Sequence, residues 1–167
     1  QTRDIFERMD LELRKEGLSL IGTVRTRLWA RDADARNRGS RARLEMLSND
    51  ARSASSSYID PTHFESKASI AVDLIAMKPA SGLTKLLTEY DPPQVPLRFA
   101  TYGPLVYLSG VTSELLTLPE QALDILSSIG ESLADAGSCW EQVVKVSFYL
   151  QRDESLDEMQ NVFSGAV

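Results

Sequence analysis

"DIFERMDLELRKEGLSLIGTVRTRLW", residues 4–29, reads as a helix that stops and turns into a strand. Phe6, Met9 and Leu13 recur at helical spacing, and Gly17 stands where a left-handed residue closes a helix. The following "TVRTRLW" (23–29) alternates, with Val24, Thr26 and Leu28 on one face and Arg25, Arg27 and Trp29 on the other. The fold turns on what recurs at an offset of 120 residues (124 − 4). Gln1, Asp4, Ile5, Leu13, Gly17 and Val24 coincide without a gap with Gln121, Asp124, Ile125, Leu133, Gly137 and Val144. Phe6 with Leu126, Met9 with Ile129, Arg25 with Lys145, Leu28 with Phe148 and Trp29 with Tyr149 keep their chemical type. Agreement of cap, apolar stripe and strand phase points to an internal duplication. A period of that length is a whole small domain, not a solenoid repeat.

Working outward, a second helix is expected over Asp34–Leu47, packed through Ala35, Gly39 and Ala42 before Met46, with its arginines on a solvated face. Two strands are expected at Arg52–Ile59 and Ser66–Met77, parted by "DPTHFE" (60–65), whose Asp60-Pro61 pair signals a turn and places His63 at the surface. The second strand holds "ASIAVDLIAM" (68–77), with Ile70, Val72 and Leu74 on one face and Ala71, Asp73 and Ile75 on the other. Prolines 79, 92, 93, 96 and 104 punctuate a connection, and a hairpin over Leu97–Ala100 and Leu105–Leu108 spans "TYGP". Thr117 and Glu120 fit a capping box with Pro119 in the first turn, and Ala122, Leu126, Ile129, Leu133 and Ala136 then form a stripe ending at Gly137. The expected organisation is residues 1–79 as the C-terminal part of a first repeat, 80–96 as a linker, and 97–167 as the N-terminal part of a second. Neither copy is complete on this reading, and a chain that opens inside a helix without Met reads as a piece of a longer one.

A hydrophobic content of 43% over 167 residues is enough to bury a core, which excludes disorder as the default. A net charge of −6 argues against a general polyanion binder, so nucleic acid is not the expected partner. The charge is uneven: residues 1–52 carry 12 basic against 9 acidic residues, which leaves room for a local anion site. One cysteine and one histidine supply neither an intramolecular disulfide nor a zinc-type ligand set, so a reducing cytoplasm and no metal or cofactor are expected. No apolar run reaches the roughly 18 to 20 residues of a membrane span.

"NDARSASSSYID" (49–60) admits four readings: a serine linker, an arginine-serine tract, a nucleophile site, or a strand that holds an anion. The framing helix and strand exclude the linker, a single occurrence excludes the tract, and the nucleophile lacks a base. What remains is a strand that presents Arg52, either to a ligand or to a nearby acid. Ser55, Ser56 and Ser57 are then strand residues with satisfied hydroxyls, or one of them touches the ligand. Ser109 before Gly110 lacks the G-x-S-x-G of a nucleophile turn and reads as a strand end. Tyr102 and Tyr107 either wall a pocket or pack a core, and Cys139 reads as a packing thiol.

"YGPLVYLSGVTS" followed by "QALDILSSIGESLADAGSCWEQVVKVSFYL" resembles the Rid family, also called YjgF or L-PSP, and "ARSASSSYI" resembles its Ala-Arg-Ser strand. The resemblance covers most of the chain outside 80–96. It implies an α+β, chorismate-mutase-like fold, a mixed sheet with helices on one face, here in two tandem incomplete copies, usually assembled as a homo-oligomeric trimer. It implies hydrolytic deamination of reactive enamines or imines to 2-oxo acids and ammonia without cofactors. Arg52 would grip the substrate carboxylate, with Tyr102, Ser109 and Gly110 lining the pocket. The family's catalytic acid falls on Ala71, and Asp73, two residues on, matches a second acidic position and is the remaining candidate for the acid. The alternative is a non-catalytic member that binds a small carboxylate or acts as an oligomeric scaffold. Endoribonuclease activity, an old label of the family, is disfavoured by the acidic total.

Overall fold

The computed structural model describes residues 2–60, 67–151 and 153–167; His63, Pro61 and Ser66, on which the expected turn and strand start rest, lie outside them. The described residues form a mixed α+β fold with four α-helices and two small sheets, and the chain divides into two compact units, Gln1–Gly110 and Val111–Val167.

In the first unit α1 (Thr2–Lys15) buries Phe6 and ends on Gly17, whose φ of +72° lets Leu18 N–H reach Leu13 O at 2.9 Å. β1 (Thr23–Ala30) is the centre of a three-stranded mixed sheet, with β2 (Ala54–Ile59) parallel on one edge and β3 (Ile70–Ala76) antiparallel on the other. The alternation read from the sequence holds: Val24, Thr26, Leu28 and Ala30 are buried, while Arg25, Arg27 and Trp29 are half-buried. α2 (Ala33–Met46) starts where Asp32 accepts from Ala35 N–H at 2.8 Å. Leu28, Ala30 and Ile70 pack with Ala35 and with Ile5 of α1, and Val72 also meets the Phe6 and Leu47 cluster, so both helices cover one face. A Cβ on Gly39 would stand 2.7 Å from Ile70 Cδ1 and 3.0 Å from Leu28 Cδ1, which shows how closely α2 approaches. The helix buries Arg43 where Ala42 was expected, because Ala35, Gly39 and Arg43 share one stripe at four-residue steps.

The expected linker is not structureless. Within 80–96, β4 (Lys85–Thr88) pairs antiparallel with β5 (Phe99–Tyr102), which pairs with β6 (Leu105–Leu108). The hairpin closes tightly through Gly103, at φ +56°, and Pro104, with Tyr102 opposite Leu105. Residues 97–110 also belong to the first unit, contrary to the expected domain starting at 97, because Gly110 N–H donates to Ser55 O at 3.0 Å and Ser55 N–H to Ser109 Oγ at 3.0 Å.

In the second unit α3 (Leu118–Asp135) begins with the expected capping box, Glu120 N–H on Thr117 Oγ1 and Thr117 N–H on Glu120 Oε2 at 3.1 Å. α4 (Leu156–Ala166) packs on it through Leu118, Ala122 and Met159. The two units share local geometry at the 120-residue offset. Gly137 also has φ +72° and Ser138 N–H reaches Leu133 O at 2.8 Å; a 3₁₀ turn spans Trp140–Gln142 as another spans Leu20–Gly22. They part afterwards: residues 143–150 form no strand, and Val144 is 95% exposed where Val24 is buried.

Two neighbouring positions test why the copies part. A Cβ on Gly22 would lie 2.6 Å from Met77 O, beside the bond from Met77 N–H to Gly22 O, so Gly22→Ala should lower unfolding free energy by about 1–3 kcal/mol in urea melts. Buried Thr23 Oγ1 has no hydrogen-bond partner among the described residues, and the residue at the same offset is Val143. Thr23→Val should therefore raise stability by about 1 kcal/mol in the same melts.

Candidate carboxylate-binding site

Arg52 follows a 3₁₀ turn, Asn49–Ala51, and precedes β2 by two residues instead of lying inside it. Both terminal nitrogens of its guanidinium donate to the two oxygens of Glu89, Nη1 to Oε1 and Nη2 to Oε2, the latter at 3.1 Å. This is the parallel two-bond geometry that a guanidinium offers a carboxylate. The pair is about one third exposed, at 35% and 32%.

β4 delivers the acid and also steadies the arginine's backbone. Lys85 Nζ donates to Arg52 O at 3.0 Å, to Thr23 O at 3.0 Å and to Ile21 O at 2.6 Å. Burial pulls the Lys85 ammonium down to about 8 against an opposing pull from Asp50, while the three carbonyls occupy all three N–H donors.

Arg52 also lines a small cavity with Thr26, Arg43, Leu44, Leu47, Ser53, Ser55 and 95–97. At about 20 Å³ it has room for one water-sized molecule and none for a 2-oxo acid.

The other expected site residues are engaged elsewhere. Asp73 stands opposite Arg27 in the β1–β3 register and forms an ion pair with it, Arg27 Nε donating to Oδ1 at 3.1 Å and Nη2 to Oδ2. Arg52 lies two residues before Ala54, the partner of Arg25, so about four residues of β1, roughly 13 Å along the strand, separate its level from that of Asp73. Tyr102 is buried and its hydroxyl donates to Lys78 O at 2.6 Å. Ser109 and Gly110 do come close to the Arg52 segment, at Ser55, yet their polar groups are used on the Ser55 backbone, and a Cβ on Gly110 would meet Ser56 Cβ at 2.7 Å. Tyr107 donates to Met77 Sδ at 3.4 Å, and burial raises its phenol. Cys139 is exposed, not packed; a hydrogen bond with Glu141 raises its thiol and keeps it from being a ready nucleophile.

Three residues that matter were not singled out from the sequence. Glu89 and Lys85 sit in the stretch read as a linker, and Arg43 was assigned to a solvated face although its spacing from Ala35 and Gly39 put it on the buried stripe. Among the described residues no group of three or more His, Cys, Asp or Glu could hold a metal ion, and no helix is long and apolar enough to cross a membrane. Comparison with known protein families, with curated proteins and with solved structures gives no match.

The Ser109 hydroxyl is the acceptor for a buried backbone donor, and both serines are under 9% exposed. Ser109→Ala should cost about 1–3 kcal/mol in chemical denaturation by leaving Ser55 N–H unpaired.

Proposed function

We propose that this chain is a Rid-like protein, built from two tandem incomplete copies of a chorismate-mutase-like domain, that binds a small 2-oxo or 2-imino acid through Arg52. The observation that carries this reading is the two-bond seat that Arg52 gives to the carboxylate of Glu89. A guanidinium whose backbone carbonyl is held by Lys85, and which is turned to a carboxylate, is chemically ready for another carboxylate of the same geometry. Glu89 then has to leave before a ligand enters.

Binding without turnover fits the surroundings better than deamination. Hydrolysis of an imine needs an acid or base within reach of the attacked carbon. Ala71 has no such group, and Asp73 is committed to Arg27. Hydrolytic deamination of enamines or imines stays as the second reading, favoured by the "ARSASSSYI" and "YGPLVYLSGVTS" resemblances. A homo-oligomer in the cytoplasm, acting on a small molecule and not on RNA, belongs to both readings.

Thermal shift with pyruvate and 2-oxobutanoate tests binding, since a ligand that prefers the native state raises its melting temperature. Both acids should stabilise the protein, Glu89→Gln should bind them about five-fold to ten-fold tighter, and Arg52→Met should abolish the shift. Absence of any shift in wild type and Glu89→Gln alike would sink the binding reading. Supplying 2-iminobutanoate generated in situ separates the two functions: a rate equal to buffer supports binding alone, and an Arg52-dependent acceleration establishes deamination.

A further inference from the structure

Arg43 poses a problem that the carboxylate site does not solve. It is 7% exposed, and its guanidinium donates through Nη1 to Ser56 O at 2.9 Å and through Nη2 to Ser57 Oγ at 3.0 Å. Both acceptors are neutral, and no described carboxylate pairs with it. The one charged group that acts on it noticeably is another cation, Arg25; burial first and that repulsion second pull Arg43 down to about 10. An unpaired buried charge costs several kcal/mol, so natural interiors give such a group a counter-charge.

The space for one is next to it. The cavity of about 20 Å³ is lined by Arg43 together with Thr26, Ser53 and Ser55, all under 9% exposed. Thr26 Oγ1 and Ser53 Oγ lie 3.5 Å apart, too far for a strong mutual bond, and each can turn its proton inward. The Ser55 hydroxyl is bonded to no described residue; its backbone makes the bonds to Ser109 and Gly110. Arg52 also lines the space, but its charge is balanced by Glu89. The net requirement is therefore one negative charge in a water-sized volume that has donors on one side and the apolar Leu44, Leu47 and Leu97 on the other.

We infer that the cavity beside Arg43 is a binding site for a small inorganic monoanion of chloride size, held by the Arg43 guanidinium and the hydroxyls of Ser55, Ser53 and Thr26. Phosphate, sulfate and 2-oxo acids are too large for it. The inference uses a different guanidinium from the carboxylate reading and stands or falls separately.

The test is a melting series of the whole chain at constant ionic strength in which gluconate, too bulky to enter, is replaced stepwise by chloride and then by bromide. A saturable rise in Tm of about 3 to 5 °C is expected with either halide. Arg43→Met should lose the halide response, and Ser55→Ala, which keeps every backbone bond, should need several-fold more chloride for half the rise. In crystals grown with bromide an anomalous peak should lie within hydrogen-bonding distance of Arg43. If Arg43→Met does not fold, Ser55→Ala and the bromide peak decide. A Tm that fails to distinguish chloride from gluconate, a Ser55→Ala response equal to wild type, or a cavity without bromide would overturn the inference.

Discussion

Strand β1 has a neighbour on each edge and helices over one face, so its second face must satisfy two half-buried guanidinium groups, those of Arg25 and Arg27. A guanidinium taken partly out of water has to keep its hydrogen bonds. The strands beside β1, and the backbone of β1 itself, supply them. Arg27 takes Asp73, directly opposite on β3, and lies 5.2 Å over the Trp29 ring. Arg25 takes Thr26 O and Ser56 Oγ, each at 2.9 Å, and Ser56 passes its own proton to Tyr58 at 2.7 Å. The aspartate inside the apolar run is there because an arginine faces it, and that commitment removes it from the chemistry the family resemblance would assign.

The same demand explains the serines of β2. The strand is an edge of its sheet and would expose unpaired backbone groups. Ser55 closes that edge through Ser109 and Gly110, Ser56 serves Arg25 with its hydroxyl and Arg43 with its carbonyl, and Ser57 serves Arg43 and lies 3.0 Å from Ser40 Oγ. Small side chains are needed as well, since Gly110 approaches Ser56 so closely that no larger pair would fit. What looked like low complexity is a row of distinct acceptors.

Local features were legible in the sequence because local physics sets them. The Gly17 and Gly137 caps, the Thr117 capping box, the β1 alternation and the bounds of α1, α2 and α3 follow from spacing and backbone preference. Non-local placement was not legible. Nothing in "KLLTE" says that its lysine will cap the carbonyls of Ile21, Thr23 and Arg52 or that its glutamate will meet Arg52, 37 residues earlier. The prolines around 79 and 92–96 read as a connection and concealed a strand four residues long. Residues 143–150 carry the apolar pattern of 23–30 and still form no strand, because alternation becomes a ladder only where partner strands supply the other half of each bond.

The Arg52–Glu89 pair sets how strongly a ligand could compete. An ion pair one third exposed is worth about 1 kcal/mol or a little more after screening, even with two bonds. The fork is then open about one tenth to one fifth of the time, and an external carboxylate loses that factor in apparent affinity. Such a loss is small enough for a metabolite at ordinary concentration to overcome and large enough to reject weaker anions. Glu89 thus does not argue against a carboxylate site at Arg52. It keeps the guanidinium paired while no ligand is there, avoiding the cost that Arg43, which lines the same cavity, has no described carboxylate to relieve.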